Sequence, residues 1–150
     1  MPGYKGHLLG GVLVAATSVV VLVALRLYTD DYPLLFSLGG VLLFGALFPD
    51  IDTDSKGQGL FYTALVAVDG WLIYRAQYMH AAWLGLLALI PLVGRHRGWI
   101  HTWWAMLLLP LPILLLPVAL WQIELERSLP FYLAFVLGYF SHLLLDRELF

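Results

Sequence analysis

The sequence contains no cysteine, and only 12% of its 150 residues are charged. Without cysteine the chain can form neither disulfides nor thiolate metal sites, so any metal would be bound by nitrogen and oxygen ligands. A soluble domain of this length carries about twice this charged fraction. The formal net charge of -2 is too small to indicate nucleic acid as a partner.

Hydrophobic residues make up 61% of the chain and are arranged in long runs. Lipid cannot satisfy backbone polar groups, so such runs are expected to be helices. We place the helices at Leu8–Tyr28, Pro33–Phe48, Leu60–Ala76, Tyr78–Gly94, Thr102–Gln122 and Leu129–Leu145. The sequence therefore predicts an all-α fold: a polytopic membrane bundle of about six transmembrane helices, forming one integral membrane domain over residues 1–150. Pro110, Pro112 and Pro117 are expected to bend the fifth helix.

Six crossings would place the N-terminus, the loops around Asp50 and His96, and the C-terminus on one side of the membrane. That side collects five basic residues: Lys5, Lys56, Arg95, Arg97 and Arg147. The opposite side holds three: Arg26, Arg75 and Arg127. The excess of positive charge favours the first side as cytoplasmic in the cell membrane.

The last predicted helix carries His142 and Asp146. Residues four apart project from the same face of a helix. An imidazole nitrogen and a carboxylate oxygen at this spacing can bind one divalent ion together. The alternative is an interfacial histidine followed by a helix-ending carboxylate that reaches for water.

The second predicted helix ends in alternating carboxylates, Asp50 and Asp52, directly after Pro49. In an extended turn these side chains point oxygens to one side, an arrangement that suits divalent cations. The proline and the preceding apolar helix would hold Asp50 near the membrane surface. The alternative is a solvated acidic loop.

The loop between the fourth and fifth helices contains Arg95, His96 and Arg97, and His101 follows it. A guanidinium group matches phosphate geometry, and histidine can bind metal or transfer protons. The alternative is a basic loop attracted to anionic lipid headgroups. That alternative explains the arginines better than the histidines. His7, at the start of the first helix, lies on the same predicted side.

Taken in chain order, these motifs resemble those of the YdjM-type family of inner-membrane metal-dependent hydrolases. The segments that carry the resemblance are His7, Phe48-Pro49-Asp50-Ile51-Asp52, His96 to Thr102 and Gly138 to Asp146. One departure is Ile100, where the family usually has threonine. The resemblance implies a multi-helix protein of the inner membrane with a metal-dependent hydrolase site.

The leading hypothesis is a membrane-embedded hydrolase that cleaves a phosphoester, with a lipid phosphate as the possible substrate and membrane lipid as the partner. One or two divalent ions (Zn, Mn or Fe) would be bound by His7, Asp50, Asp52, His101, His142 and Asp146. The metal would activate water, and Asp52 could accept its proton. Arg95 and Arg97 would neutralise the phosphate, and His96 would be either a ligand or the acid that protonates the leaving group.

Two other classes of function remain open at this stage. One is a metal-independent lipid-phosphate phosphatase with a histidine nucleophile, although the serine-glycine-histidine segment expected for that chemistry is missing. The other is a metal or proton transporter, or a structural membrane protein. A transporter should carry polar groups across the whole membrane, whereas only Asp69 lies deep within a predicted helix.

The absence of cysteine makes the predicted threading directly testable by single-cysteine labelling. Two crossings separate Lys5 from Lys56, so Lys5→Cys and Lys56→Cys should react with a membrane-impermeant maleimide from the same side. Arg127→Cys should react from the opposite side only. Labelling of the first two variants from opposite sides would contradict the six-helix threading.

Overall fold

The computed structural model describes residues 4–24, 31–52, 56–88 and 99–146. Within these ranges every regular element is helical, as the sequence predicts. The α-helices, in chain order, are α1 (Tyr4–Ala24), α2 (Tyr32–Leu47), α3 (Lys56–Tyr74), α4 (Tyr78–Ala88), α5 (Trp103–Leu108), α6 (Leu111–Trp121) and α7 (Leu125–Asp146). Two short 3-10 turns, Phe48–Asp52 and Trp99–His101, lie between them.

The chain divides into two compact units. The first consists of Met1–Pro49 and Ile100–Phe150, and the second of Asp50–Trp99. In the second unit α3 and α4 pack against each other as a helical hairpin, which turns near Gln77, between the helices predicted at Leu60–Ala76 and Tyr78–Gly94. Ala76 adopts a left-handed conformation (φ 56°), and the Gln77 N–H donates to the Leu72 carbonyl. This bond closes the end of α3 and redirects the chain into α4.

Helix α7 is the centre of the first unit. It contacts α1, α2, α5 and α6, so each of these helices depends on its buried face. The residues buried on α7 are Ser128, Ala134, Phe135, Gly138, Tyr139, Ser141, His142 and Leu143. Most of them recur at intervals of three, four and seven residues, the spacing that forms one continuous face of a helix.

Two glycines allow α2 and α7 to approach until their backbones touch. A methyl group added at Gly138 would lie 1.9 Å from the Leu42 carbonyl oxygen, and one added at Gly45 would lie 2.3 Å from the Phe135 carbonyl oxygen. Real Cβ atoms do not come this close to backbone, so no larger residue fits at either position without separating the helices. Small residues permit close contact of this kind between membrane helices.

The predicted fifth helix is two helices in the structure. α5 ends at Leu108 and α6 begins at Leu111, so the predicted bend lies at Pro110, which is buried. Pro117 remains inside α6. The break leaves carbonyl groups at the end of α5 without helical donors. One of them, that of Leu107, accepts a hydrogen bond of 3.0 Å from the Tyr132 hydroxyl of α7.

The first helix also differs from its predicted bounds, because it begins at Tyr4 and not at Leu8. The apolar run predicted only the part of the helix that suits lipid, whereas the helix itself begins one turn earlier, in a segment that contains Lys5. His7 therefore lies within α1 and not before it. Four residues later Gly11 is buried on the same face, where its Cα approaches the Ala46 side chain of α2.

Three stretches in the described part of the chain are long and apolar enough to cross a membrane. They are Tyr32–Ile51, Trp103–Trp121 and Leu125–Asp146. Two shorter apolar helices cover Lys5–Val21 and Phe61–Tyr74. Large apolar side chains are widely exposed on these helices, as in Val20 (66%), Phe36 (86%) and Val66 (67%). Exposure of this extent is typical of a protein whose solvent is lipid.

We expect Gly138→Ala to lower the free energy of unfolding by about 1–3 kcal/mol, because the added methyl group forces α2 and α7 apart. Gly40→Ala is the matched control: it changes the same residue type on α2, where nothing lies within 4 Å of the added methyl group. The control should be neutral or slightly stabilising. The measurement is denaturant unfolding of the purified protein in detergent. Equal stability of the two variants would contradict the close crossing.

Candidate metal centre

Three segments of the first unit bring polar side chains together. His7 comes from the first two turns of α1, His101 ends the Trp99–His101 turn, and His142 and Asp146 lie on the last two turns of α7. Contacts of α7 with both α1 and α5 account for the meeting of segments so far apart in sequence. The side chains of His7, His142 and Asp146 are almost fully buried, with exposures of 1%, 0% and 4%.

The Asp146 carboxylate lies between two imidazole rings. Its Oδ2 is 3.3 Å from His142 Nε2, and its Oδ1 is 3.5 Å from His7 Nε2. The first contact follows from the four-residue spacing on α7, which puts both side chains on one helix face. The second depends on the packing of α1 against α7. Each carboxylate oxygen therefore faces an imidazole nitrogen.

The histidine rings also contact one another. His7 and His142 are stacked, with ring centroids 3.7 Å apart and an interplanar angle of 16°. The His101 ring lies 5.6 Å from that of His142. One ligand atom from each of His101, His142 and Asp146 can be chosen so that all three lie within 4.8 Å of one another. This spacing is compatible with a single ion that binds all three residues.

A backbone carbonyl determines which nitrogen of His142 can act as a ligand. The Nδ1 atom lies 2.8 Å from the Ala46 carbonyl oxygen of α2. A carbonyl can only accept, so Nδ1 carries the hydrogen and donates it. In the neutral ring Nε2 then presents a lone pair toward Asp146 Oδ2. Two acceptors face each other at this point, so a proton or a metal cation is needed between them. A carbonyl bonded to the outer ring nitrogen is typical of metal-binding histidines.

The helix ends favour a cation at the same place. Asp146 is the last residue of α7, and Ala46 lies next to the end of α2. The C-terminal ends of helices carry partial negative charge from unsatisfied carbonyl groups. A buried carboxylate in its ionised form requires a compensating positive charge. The three imidazoles and one carboxylate, without sulfur, form a ligand set that fits Zn, Mn or Fe.

The remaining predicted site residues belong to the second unit. Asp50 is half-buried in the Phe48–Asp52 turn, directly after the buried Pro49, and belongs to the second unit. Asp52 ends that turn, and its side chain lies outside the described residues, as do Arg95, His96 and Arg97. The roles assigned to these five residues stay predictions.

Sequence reasoning missed one group in the site, the Ala46 carbonyl. Every residue carries a carbonyl, so no signal in the sequence distinguishes this one from the others. What the sequence does contain is Gly45 next to Ala46 and Gly138 one turn before His142. These two glycines permit the close crossing that places the carbonyl beside the imidazole.

The fold and the cluster together define the class: an all-helical integral membrane protein with a buried histidine and aspartate cluster at the end of α7. The family model of the YdjM inner membrane protein matches residues 1–147, nearly the whole chain. The chain therefore belongs to the YdjM inner membrane protein family, and it is an integral protein of the inner membrane. No curated protein and no solved structure is found to match it.

Proposed function

We propose that the protein is a membrane-embedded, metal-dependent hydrolase that cleaves a phosphoester of a membrane lipid. The observation that carries this proposal is the position of Asp146, whose two oxygens face Nε2 of His142 and Nε2 of His7. Buried nitrogen and oxygen ligands arranged around one point suit a divalent cation better than any other common occupant.

His7, His101, His142 and Asp146 would hold the ion. The Ala46 carbonyl would keep the His142 ring in the tautomer that leaves Nε2 available. The ion, when bound, supplies Lewis acidity toward water and toward the phosphoester. From the sequence we add Asp50 and Asp52 as ligands, which would allow either one ion or two.

The catalytic roles outside this cluster are assigned from the sequence. Asp52 would accept the proton of the attacking water. Arg95 and Arg97 would neutralise the charge on the phosphate, because guanidinium groups pair with phosphate oxygens in bidentate fashion. His96 would donate a proton to the leaving oxygen or serve as a further ligand. Water adds to phosphorus, and the ester oxygen leaves as an alcohol.

The geometry argues against a metal-independent phosphatase in which His142 is the nucleophile. A nucleophilic histidine needs one ring nitrogen open to the substrate. The Nδ1 of His142 faces the Ala46 carbonyl and its Nε2 faces Asp146, and the ring is fully buried. Neither nitrogen is therefore directed toward a phosphorus atom.

The neighbours of the cluster in sequence favour a lipid as the source of the phosphoester. Leu9 is 63% exposed two residues after His7, Leu144 is 56% exposed two residues after His142, and Trp103 is 59% exposed two residues after His101. Apolar side chains exposed this close to the proposed ligands support a position of the cluster near the lipid. Tryptophan is typical of the boundary between lipid and water. The excess of basic residues supports a cytoplasmic position for this face.

We expect purified wild-type protein supplied with Zn²⁺ or Mn²⁺ to contain stoichiometric metal by elemental analysis. His142→Ala and Asp146→Ala should each bind it more than about 100-fold more weakly, since both remove a ligand. His80→Ala is the matched control, because His80 lies at the start of α4, which the predicted threading puts on the side of the membrane opposite the proposed ligands. It should retain the wild-type metal content.

If the wild-type protein contains no metal after this treatment, the proposed function is wrong. Metal lost equally from all variants, the control included, would show that the loss arises from misfolding. Asp50→Ala tests the ligand that was assigned from the sequence. Loss of the bound metal in this variant would support Asp50 as a ligand, and unchanged metal content would exclude it as an essential ligand.

We expect the protein to release the headgroup phosphate or alcohol from a phospholipid presented in mixed micelles. The activity should disappear on treatment with a chelator and return when Zn²⁺ or Mn²⁺ is restored. His142→Ala should lower the rate by at least about 100-fold, and His80→Ala should leave it unchanged. Hydrolysis that persists in the chelator would instead favour the metal-independent phosphatase.

A further inference from the structure

Tyr139 is fully buried on α7, one turn before His142. Its hydroxyl donates a hydrogen bond to the Ile100 carbonyl, the residue immediately before His101. The phenol ring packs against Phe48 and Phe135, with ring centroids 5.9 Å and 6.2 Å away. The ring thus packs against a residue at the end of α2 and a residue of α7, and its hydroxyl reaches the turn that carries His101.

The turn that carries His101 has little structure of its own to position an imidazole. It comprises three residues, Trp99–His101, and short 3-10 segments have poor internal hydrogen bonds. His142 and Asp146, in contrast, are positioned by a helix of 22 residues. The location of His101 relative to them depends on what ties the turn to α7, and the Tyr139 hydroxyl makes that connection next to His101 itself.

A second tyrosine makes a comparable contact further along. Tyr132 lies seven residues before Tyr139, so both project from the same face of α7. Its hydroxyl donates to the Leu107 carbonyl of α5, seven residues after Ile100. The two hydrogen bonds therefore connect α7 to the segment 100–107 at its two ends. Only the bond from Tyr139 acts beside a residue of the metal centre.

We propose that Tyr139 is a positioning residue of the metal centre, whose hydroxyl holds His101 within reach of the ion bound by His142 and Asp146. This inference rests on the proposed function, because it requires that the cluster binds metal. It assigns to Tyr139 no contact with the metal or with the substrate. Residues that orient metal ligands typically contribute about 10- to 100-fold to metal affinity.

The test is the Zn²⁺ affinity of Tyr139→Phe, measured in detergent by competition with a chelator of known affinity. Phenylalanine keeps the ring that packs against Phe48 and Phe135 and removes only the hydroxyl. We expect the affinity to fall by about 10- to 100-fold. Tyr132→Phe is the matched control: it removes the same group from the same helix face, and its Zn²⁺ affinity should equal that of the wild type.

Repeating Tyr139→Phe in a His101→Ala background distinguishes an effect that acts through His101 from a general effect on the packing of the protein. If Tyr139 acts through His101, the second substitution should change Zn²⁺ affinity by less than about twofold, because there is no ligand left to position. An equal fall in both backgrounds would overturn the inference. The absorption spectrum of bound Co²⁺ gives a second readout, because it should change in Tyr139→Phe in the same direction as in His101→Ala.

The outcomes for this inference and for the proposed function are separable. If the wild-type protein binds no Zn²⁺, both the proposed function and the role of Tyr139 are wrong. Wild-type protein that binds Zn²⁺, together with Tyr139→Phe of equal affinity, would overturn only the role of Tyr139. A fall shared equally by Tyr132→Phe and Tyr139→Phe would also overturn it, since it would assign the effect to the packing of α5 on α7.

Discussion

Contact between the backbones of α2 and α7 is the constraint on which the rest of the first unit depends. Gly45 and Gly138 lack side chains at the crossing, where any Cβ would overlap a carbonyl group of the opposite helix. Van der Waals contact is the principal force between helices in lipid, because there is no hydrophobic effect to drive their association there. The crossing brings the Ala46 carbonyl within 2.8 Å of His142 Nδ1. Helix packing and histidine chemistry are therefore linked through a single backbone group.

The segments that pack around this crossing position the residues of the cluster one after another. α7 carries two residues of the cluster in a defined geometry, because an α-helix determines the relative position of residues four apart. α1 adds His7 by packing on the same helix, and its ring stacks on that of His142. His101 comes from the least regular segment, which is tied to α7 by a tyrosine hydroxyl. The least regular element thus depends on a side-chain contact, whereas α7 supplies two of the four residues of the cluster.

Burial of this cluster has an energetic consequence that bears on function. A carboxylate and imidazoles with exposures of 4% or less are costly in a protein interior unless they are compensated. A purely structural bundle could replace them with apolar residues of similar volume at little cost. Their position beside the C-terminal ends of two helices supports the proposed cation-binding role. The family to which the chain belongs is one of inner-membrane proteins, in agreement with the apolar, lipid-exposed surfaces of the helices.

The sequence by itself determined the class of fold and the chemical types available to a site. Long apolar runs predicted lipid-embedded helices, and the four-residue spacing of His142 and Asp146 already implied that they share a face. Periodicity and composition act locally, so they also predicted the break between α3 and α4 near Gln77 and bending at Pro110, Pro112 and Pro117, of which the structure shows a break at Pro110. They missed the extra turn at the start of α1, because helical hydrogen bonds continue beyond the apolar run. Only the tertiary structure decided that His7 and His101 meet His142, and that the Ala46 carbonyl selects the nitrogen facing Asp146. These contacts join segments that are distant in sequence, and they depend on the close approach of helices, which no local pattern encodes.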